Sequence, residues 1–225
     1  NIMDGVTAAA AELNLIDGIT ATTAELNIMD GVTATAAELN LLDGVTSLGA
    51  TNLNGLSDVL VEDNSIYIGN DPSSTTNSAL YNVAIGANAL DVVTTGKKNI
   101  AIGEDALWKN TTGERNVAVG KDALYTNSTG DNNTALGIGA LNNIQSADNN
   151  TSTGYLSLYN ATGSDNTAYG YRSGLNITTG TNNTTLGNNA NLSSGSGTNQ
   201  IVIGHSATGQ ADNTVTLGNA DVTGI

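Results

Sequence analysis

A mainly β, repeat-built fold follows from three observations on the 225-residue sequence. A glycine column recurs near every seventeenth residue, and short stretches of period-two alternation precede those glycines. The composition is also too poor in aromatics for one large core, with no Phe, one Trp and 27 Gly. Aromatic side chains usually fill a broad core because each buries a large area. Here Val, Ile, Leu and Ala alternate with Asn, Thr and Gly, which suits a narrow, regular core. The expected fold is a β-solenoid with coils of about 17 residues, preceded by 13-residue repeats with short helical turns.

The glycine column runs through Gly69, Gly86, Gly103, Gly120, Gly137, Gly154, Gly170, Gly187, Gly204 and Gly218. Four residues earlier sits Asn in most coils, from Asn82 through Asn183, with Ser65, Gln200 and Thr214 as departures. Asn suits turns because it tolerates left-handed φ and bonds its own backbone, and stacked Asn can form a ladder of side-chain amides. A second glycine set (Gly96, Gly113, Gly130, Gly163, Gly180 and Gly197) marks another tight turn.

The three residues before each column glycine alternate, as a strand with two unlike faces does. The outer two are larger, as in Val83 and Ile85 or Ile100 and Ile102, and the middle one is small, as in Ala84, Ala101 and Ser152. A second strand is expected after each glycine, ending in Ala89-Leu90, Ala106-Leu107, Ala123-Leu124 and Ala140-Leu141. The outer pair is taken as the interior, often only Thr and Leu, or Thr151 with Thr153. So thin an interior leaves the small middle column to be explained by close approach of another chain. The extra residue in Tyr171-Arg172-Ser173-Gly174 predicts a bulge.

Residues 1–47 carry a different repeat, of 13 residues. Asp4, Asp17, Asp30 and Asp43 each precede Gly, then Val or Ile, then Thr, and Glu-Leu-Asn recurs at Glu12, Glu25 and Glu38. Thr22 to Glu25 and Thr35 to Glu38 match a helix-capping box. A helix of about two turns is too short to stand alone, so its apolar stripe needs neighbours. Asp-Gly equally suits a turn between strands. Residues 48–63 break the pattern and read as a junction, 64–218 as the β-roll domain, and 219–225 as a C-terminal segment.

The net charge of −15 disfavours nucleic acid and anionic membrane as partners. Ten acids and no Lys or Arg fall in residues 1–63. No run of 18 apolar residues exists, so no membrane insertion is expected. With no Cys there is no thiolate metal site. Chemistry is sparse. His205 is the only His and reads as a turn or surface residue, since one ligand does not make a metal site. The repeated Glu and Asp positions are accounted for by caps and turns. Cation binding between facing carboxylate columns is the remaining option, without a recognised ligand spacing. No catalytic residue, metal ligand or cofactor is assigned. Trp108, Tyr125 and Tyr159 share one repeat position, directly after the Leu, and point outward if that Leu points inward. They are the candidate ligand-binding residues, able to stack on sugar rings; aromatics that merely cover neighbouring coils are the plainer alternative.

The elements Asn82 to Gly86, Asn99 to Gly103 and Asn116 to Gly120 resemble the head repeats of trimeric autotransporter adhesins. That resemblance implies a trimeric, left-handed parallel β-roll. The longer form, as in Ala123 to Gly130, is more similar to repeats of bacteriophage tail fibres and tail spikes. The segment Asn213 to Ile225 resembles the stretch before a self-cleaving chaperone domain of tail spikes, which fits a mature chain from which that domain has been cut. The 13-residue repeat also resembles one of phage tail-fibre-like proteins. These resemblances imply a non-enzymatic structural fibre of a virion, outside the cell. Its partners would be two further copies, other tail proteins, and a host glycan or protein receptor. A bacterial trimeric surface adhesin is the rival, and the non-catalytic part of a glycan-degrading tail spike the second.

Overall fold

The computed structural model describes residues 59–62, 64–69 and 78–223. The expected 13-residue repeat shaft lies outside them. The described residues form the expected β-solenoid. A single sheet holds eleven strands in sequence order: β1 Val59–Glu62, β2 Ser65–Ile68, β3 Val83–Ile85, β4 Ile100–Ile102, β5 Val117–Val119, β6 Thr134–Leu136, β7 Thr151–Thr153, β8 Thr167–Tyr169, β9 Thr184–Leu186, β10 Ile201–Ile203 and β11 Val215–Leu217. Every neighbouring pair from β2 onward is parallel, and the register never slips, so Ala84 faces Ala101 and Ala101 faces Ala118. The eight steps from β3 to β11 make a stack roughly 38 Å long at the ~4.8 Å spacing of paired strands. β1, within the expected junction, turns back through Asn64 (φ 59°) and pairs antiparallel with β2.

The register is held by the asparagine column. Asn82, Asn99, Asn116, Asn133, Asn150, Asn166 and Asn183 are all buried. Each side-chain oxygen accepts the backbone N–H of the next column residue: Asn99 N–H to Asn82 Oδ1, Asn116 to Asn99 and Asn133 to Asn116, each at 2.9 Å. Most of the Nδ2 groups donate to a carbonyl of the opposite corner one coil on, as Asn99 does to Gly113 and Asn116 to Gly130 at 2.8 Å, whereas Asn150 Nδ2 donates to Asn133 Oδ1 and the Asp148 carbonyl. The ladder is thus mainly side chain to backbone, and the left-handed residue is the one before each Asn, such as Lys98 and Arg115. Two of the departures keep the ladder, and at Thr214 it ends, because Gln200 Oε1 accepts the Ser193 N–H and Thr214 Oγ1 donates to the Ala211 carbonyl. Ser65 Oγ accepts from Asn82 N–H, and Gln200 N–H donates to Asn183 Oδ1.

Two expectations are corrected. The segment after each glycine is not a second strand. It alternates left-handed residues, Asp105 (φ 59°) with Leu107 (φ 51°) and Asp122 (φ 57°) with Leu124 (φ 53°). Backbone bonds go alternately to the coil on either side: Asp105 N–H to the Ala87 carbonyl and Leu107 N–H to the Ala123 carbonyl. Left-handed φ disfavours an L-residue by roughly 1–2 kcal/mol. Full burial of the leucine side chain, worth about 1.5–3 kcal/mol, offsets that cost.

The faces of the strands are also reversed. The small middle residues, Ala84, Ala101, Ala118, Ala135, Ser152, Ala168 and Thr185, are buried inside their own coil. They pack with Ala89, Ala106, Ala123 and Ala140 and the buried leucines 90, 107, 124, 141 and 158 of the far wall. The outer pair is the one exposed: Ile85, Ile100, Ile102, Leu136, Ile201 and Ile203 all face outward. The small column therefore answers to the narrow coil interior. Polar substitutions in that interior are bonded within the chain: Ser152 Oγ donates to the Ser157 carbonyl at 2.8 Å, and Ser173 Oγ to Thr185 Oγ1 at 2.8 Å.

The expected bulge at Tyr171 to Gly174 does not form. Gly174 (φ 65°) takes the leucine position, and buried Ile177, three residues on, fills the vacated space beside it.

Gly103 and Gly120 combine φ near 130° with backbone contact. A Cβ at Gly120 would lie 2.7 Å from the carbonyl carbon and oxygen of Gly137. Gly120→Ala should cost at least about 1–3 kcal/mol from φ alone, lowering Tm by roughly 2–12 °C at the ~2–4 °C per kcal/mol of a chain of this size. Thermal unfolding followed by circular dichroism reads this directly. Asn116→Ala strips the Asn133 N–H of its buried partner and leaves the Gly130 carbonyl with Asn127 Nδ2 alone. A loss of about 1–3 kcal/mol is expected in urea titration, against little for alanine at the exposed Gln145.

Candidate functional site

The aromatic side chains follow from the leucine geometry. Leu107 and Leu124 point inward from left-handed positions, so Trp108 and Tyr125, each next in sequence, emerge on the outer wall, half-buried. Successive coils bring their rings together at 5.0 Å between centroids and 27° between planes. Lys109 Nζ lies 5.5 Å from the Trp108 ring and 5.7 Å from the Tyr125 ring, serving both. The two rings stack along the long axis, so one face of each is covered by the other. Tyr159 has the same repeat position but stands apart, two coil steps beyond Tyr125, with Asn142 between and Gly139 beneath its ring. The structure thus brings together two of the three candidate residues.

A second aromatic group was missed by sequence reasoning. Tyr155 and Tyr171 directly follow column glycines Gly154 and Gly170, and their rings stack at 5.4 Å and 13°. The Arg172 guanidinium lies 5.9 Å from the Tyr171 centroid. Tyr169, on β8, is 61% exposed. The shared place after the glycine was the available signal, obscured because Ala87, Glu104, Lys121, Asn188 and His205 fill it elsewhere.

Several of the remaining polar groups have structural partners, whereas Asn110 Oδ1 and Thr216 Oγ1 are buried without one. Asp131 Oδ1 accepts the Glu114 N–H and Asp148 Oδ1 the Asp131 N–H, both at 2.7 Å, so these acids tie one coil to the next. Lys121 Nζ sits 2.6 Å from Glu104 Oε2, and that hydrogen bond raises its pKa. Asp212 is held below its ordinary value, first by the Thr198 N–H and then by the Gln200 amide. His205 is exposed, with Nε2 3.3 Å from Ser206 Oγ. Among the described residues no group of three or more His, Cys, Asp or Glu gathers as a metal site would require. An open hollow of about 370 Å³ at the C-terminal end is lined by hydroxyls and amides, including Ser206, Thr208, Gln210 and Thr216.

No family model, no curated protein and no solved structure matches the chain.

Removing Tyr125 should uncover a face of Trp108. Tyr125→Ala is expected to raise acrylamide quenching of the single Trp while costing only about 0.5–1.5 kcal/mol beyond the lost area. For Asp212 the sign is set by its depressed pKa. Its contribution is present above the ordinary carboxylate value and is lost as pH falls through the lower folded value. The protection of the Thr198 amide relative to its intrinsic exchange at each pH should therefore fall below about pH 4, while that of Asn116 stays constant.

Proposed function

We propose that this chain is a structural rod that works as a homotrimer, the shaft of a phage tail fibre whose task is reach and host attachment rather than catalysis. One observation carries the reading. A solenoid with a complete core of its own still presents Ile85, Ile100, Ile102, Leu136, Leu186, Ile201 and Ile203 outward on one continuous sheet face. Apolar patches of that extent on soluble proteins mark places where something else packs. Parallel, unslipped strands make the face flat and repetitive, which favours an identical rod as its mate. The resemblance of Asn82 to Gly86 and its repeats to trimeric head repeats supplies the stoichiometry, and that of the longer coils to tail fibres supplies the setting.

The strong acidity supports an extracellular, soluble fibre over a nucleic-acid binder. The receptor in this reading is a host-surface glycan or protein, met by an outer wall such as that of Trp108 and Tyr125.

Sedimentation equilibrium tests the reading. A single species near three times the 22.7 kDa chain mass is expected. Ile102→Lys replaces an outward side chain, so the coil should fold while association weakens by at least about 2 kcal/mol per copy. A folded wild-type monomer at micromolar concentration would overturn the trimer.

A further inference from the structure

We propose that the corner formed by Ile138, Tyr155 and Tyr171 packs against a second copy of this chain and widens the interface beyond the sheet face. The inference rests on the self-association proposed above.

Two neighbouring columns carry the argument: the outward strand residues and the residue just past each column glycine. In six coils their polarity is complementary. Ile100 and Ile102 stand beside Glu104, Val117 and Val119 beside Lys121, and Ile201 and Ile203 beside His205. On β6, β7 and β8, where the strand carries threonine, the corner is apolar: Thr134 with Ile138, Thr151 and Thr153 with Tyr155, Thr167 with Tyr171. Two coils depart, with Val83 and Ile85 beside Ala87 and Thr184 beside Asn188. Ile138, Tyr155 and Tyr171 are 51%, 46% and 45% exposed, high for large apolar side chains on three consecutive coils.

Area favours a wider contact. The sheet face is roughly 38 Å long and, at three residues per strand, about 10 Å wide, a narrow strip for an interface of standard size, which buries roughly 800 Å² of accessible surface per partner. Adding the corner widens the face where its threonines give the least apolar burial. Tyr and Arg, here Tyr155, Tyr171 and Arg172, are the residue types enriched at such contacts.

The chain has no cysteine, so single-cysteine variants report cleanly on this corner. Tyr171→Cys and, as an exposed control on a distant turn, Gln145→Cys are labelled with a maleimide in the native assembly and in urea. Tyr171→Cys should react at least about tenfold more slowly than the control in the assembly and at the same rate in urea. Tyr155→Ser with Tyr171→Ser should weaken association at least about tenfold in sedimentation, with Tyr171→Phe restoring it. Equal labelling in a sample that sediments as an oligomer overturns the corner and leaves self-association standing. Fast labelling that host glycan slows would give the corner to a sugar and overturn the proposal. A monomeric wild type removes both the self-association and this inference.

Discussion

The structure depends on the buried asparagine ladder. A coil of 17 residues with a strand of only three has little to fix its register, since short paired strands can slide. Each column asparagine removes that freedom by accepting the N–H of the next column residue, and all but Asn150 also donate to the opposite corner of the following coil. Misregistration by one residue would leave both groups buried and unpaired, at about 1–3 kcal/mol each. The short coil between Asn150 and Asn166 shows how firm the constraint is. The ladder persists there, with Asn166 N–H to Asn150 Oδ1 at 3.0 Å, and the missing residue is taken out of the far corner before Gly163.

A constant register forces the narrow bore. Along β3 to β9 the strand wall and the far wall approach closely enough that one accepts Ala, Ser or Thr and the other mainly Ala and Leu, while Tyr67 and Val202 fill the bore towards its two ends. The leucines at 90, 107, 124, 141 and 158 enter from a left-handed backbone, and at Leu107 and Leu124 this turns the next residue outward and sets the Trp108–Tyr125 stack on the outer wall. The larger aliphatics of the strand have no room inside. They are left on the surface in columns, and the proposed packing of copies gives them a destination.

Much of this was legible in particular residues. The glycine column marked the coil length, and the backbone of the next coil lying against Gly103 and Gly120 is the physical reason it had to be glycine. The Asn column correctly suggested a ladder, though its bonds run mainly to backbone. Trp108 and Tyr125 were recognisable as neighbours from their shared place after Leu. Tyr155 and Tyr171 were not, because residues of every character occupy the position after the glycine. Which face of the strand turns inward was read the wrong way round. Alternation tells that two faces differ, and size suggests that the larger residues are inside, but only the distance between the walls decides that the smaller ones fit.

The amino-acid sequence alone determined the repeat, its length and the β-solenoid class, because these follow from residues recurring at fixed intervals along the chain. The tertiary structure decided what lies between those intervals. The Ala-Leu segment has the local look of a strand, yet hydrogen bonds to the coils on either side select alternating left-handed residues there. The same stacking turned Ala inward and Ile outward, since the bore is set by contacts between residues far apart in the chain, which no local pattern encodes.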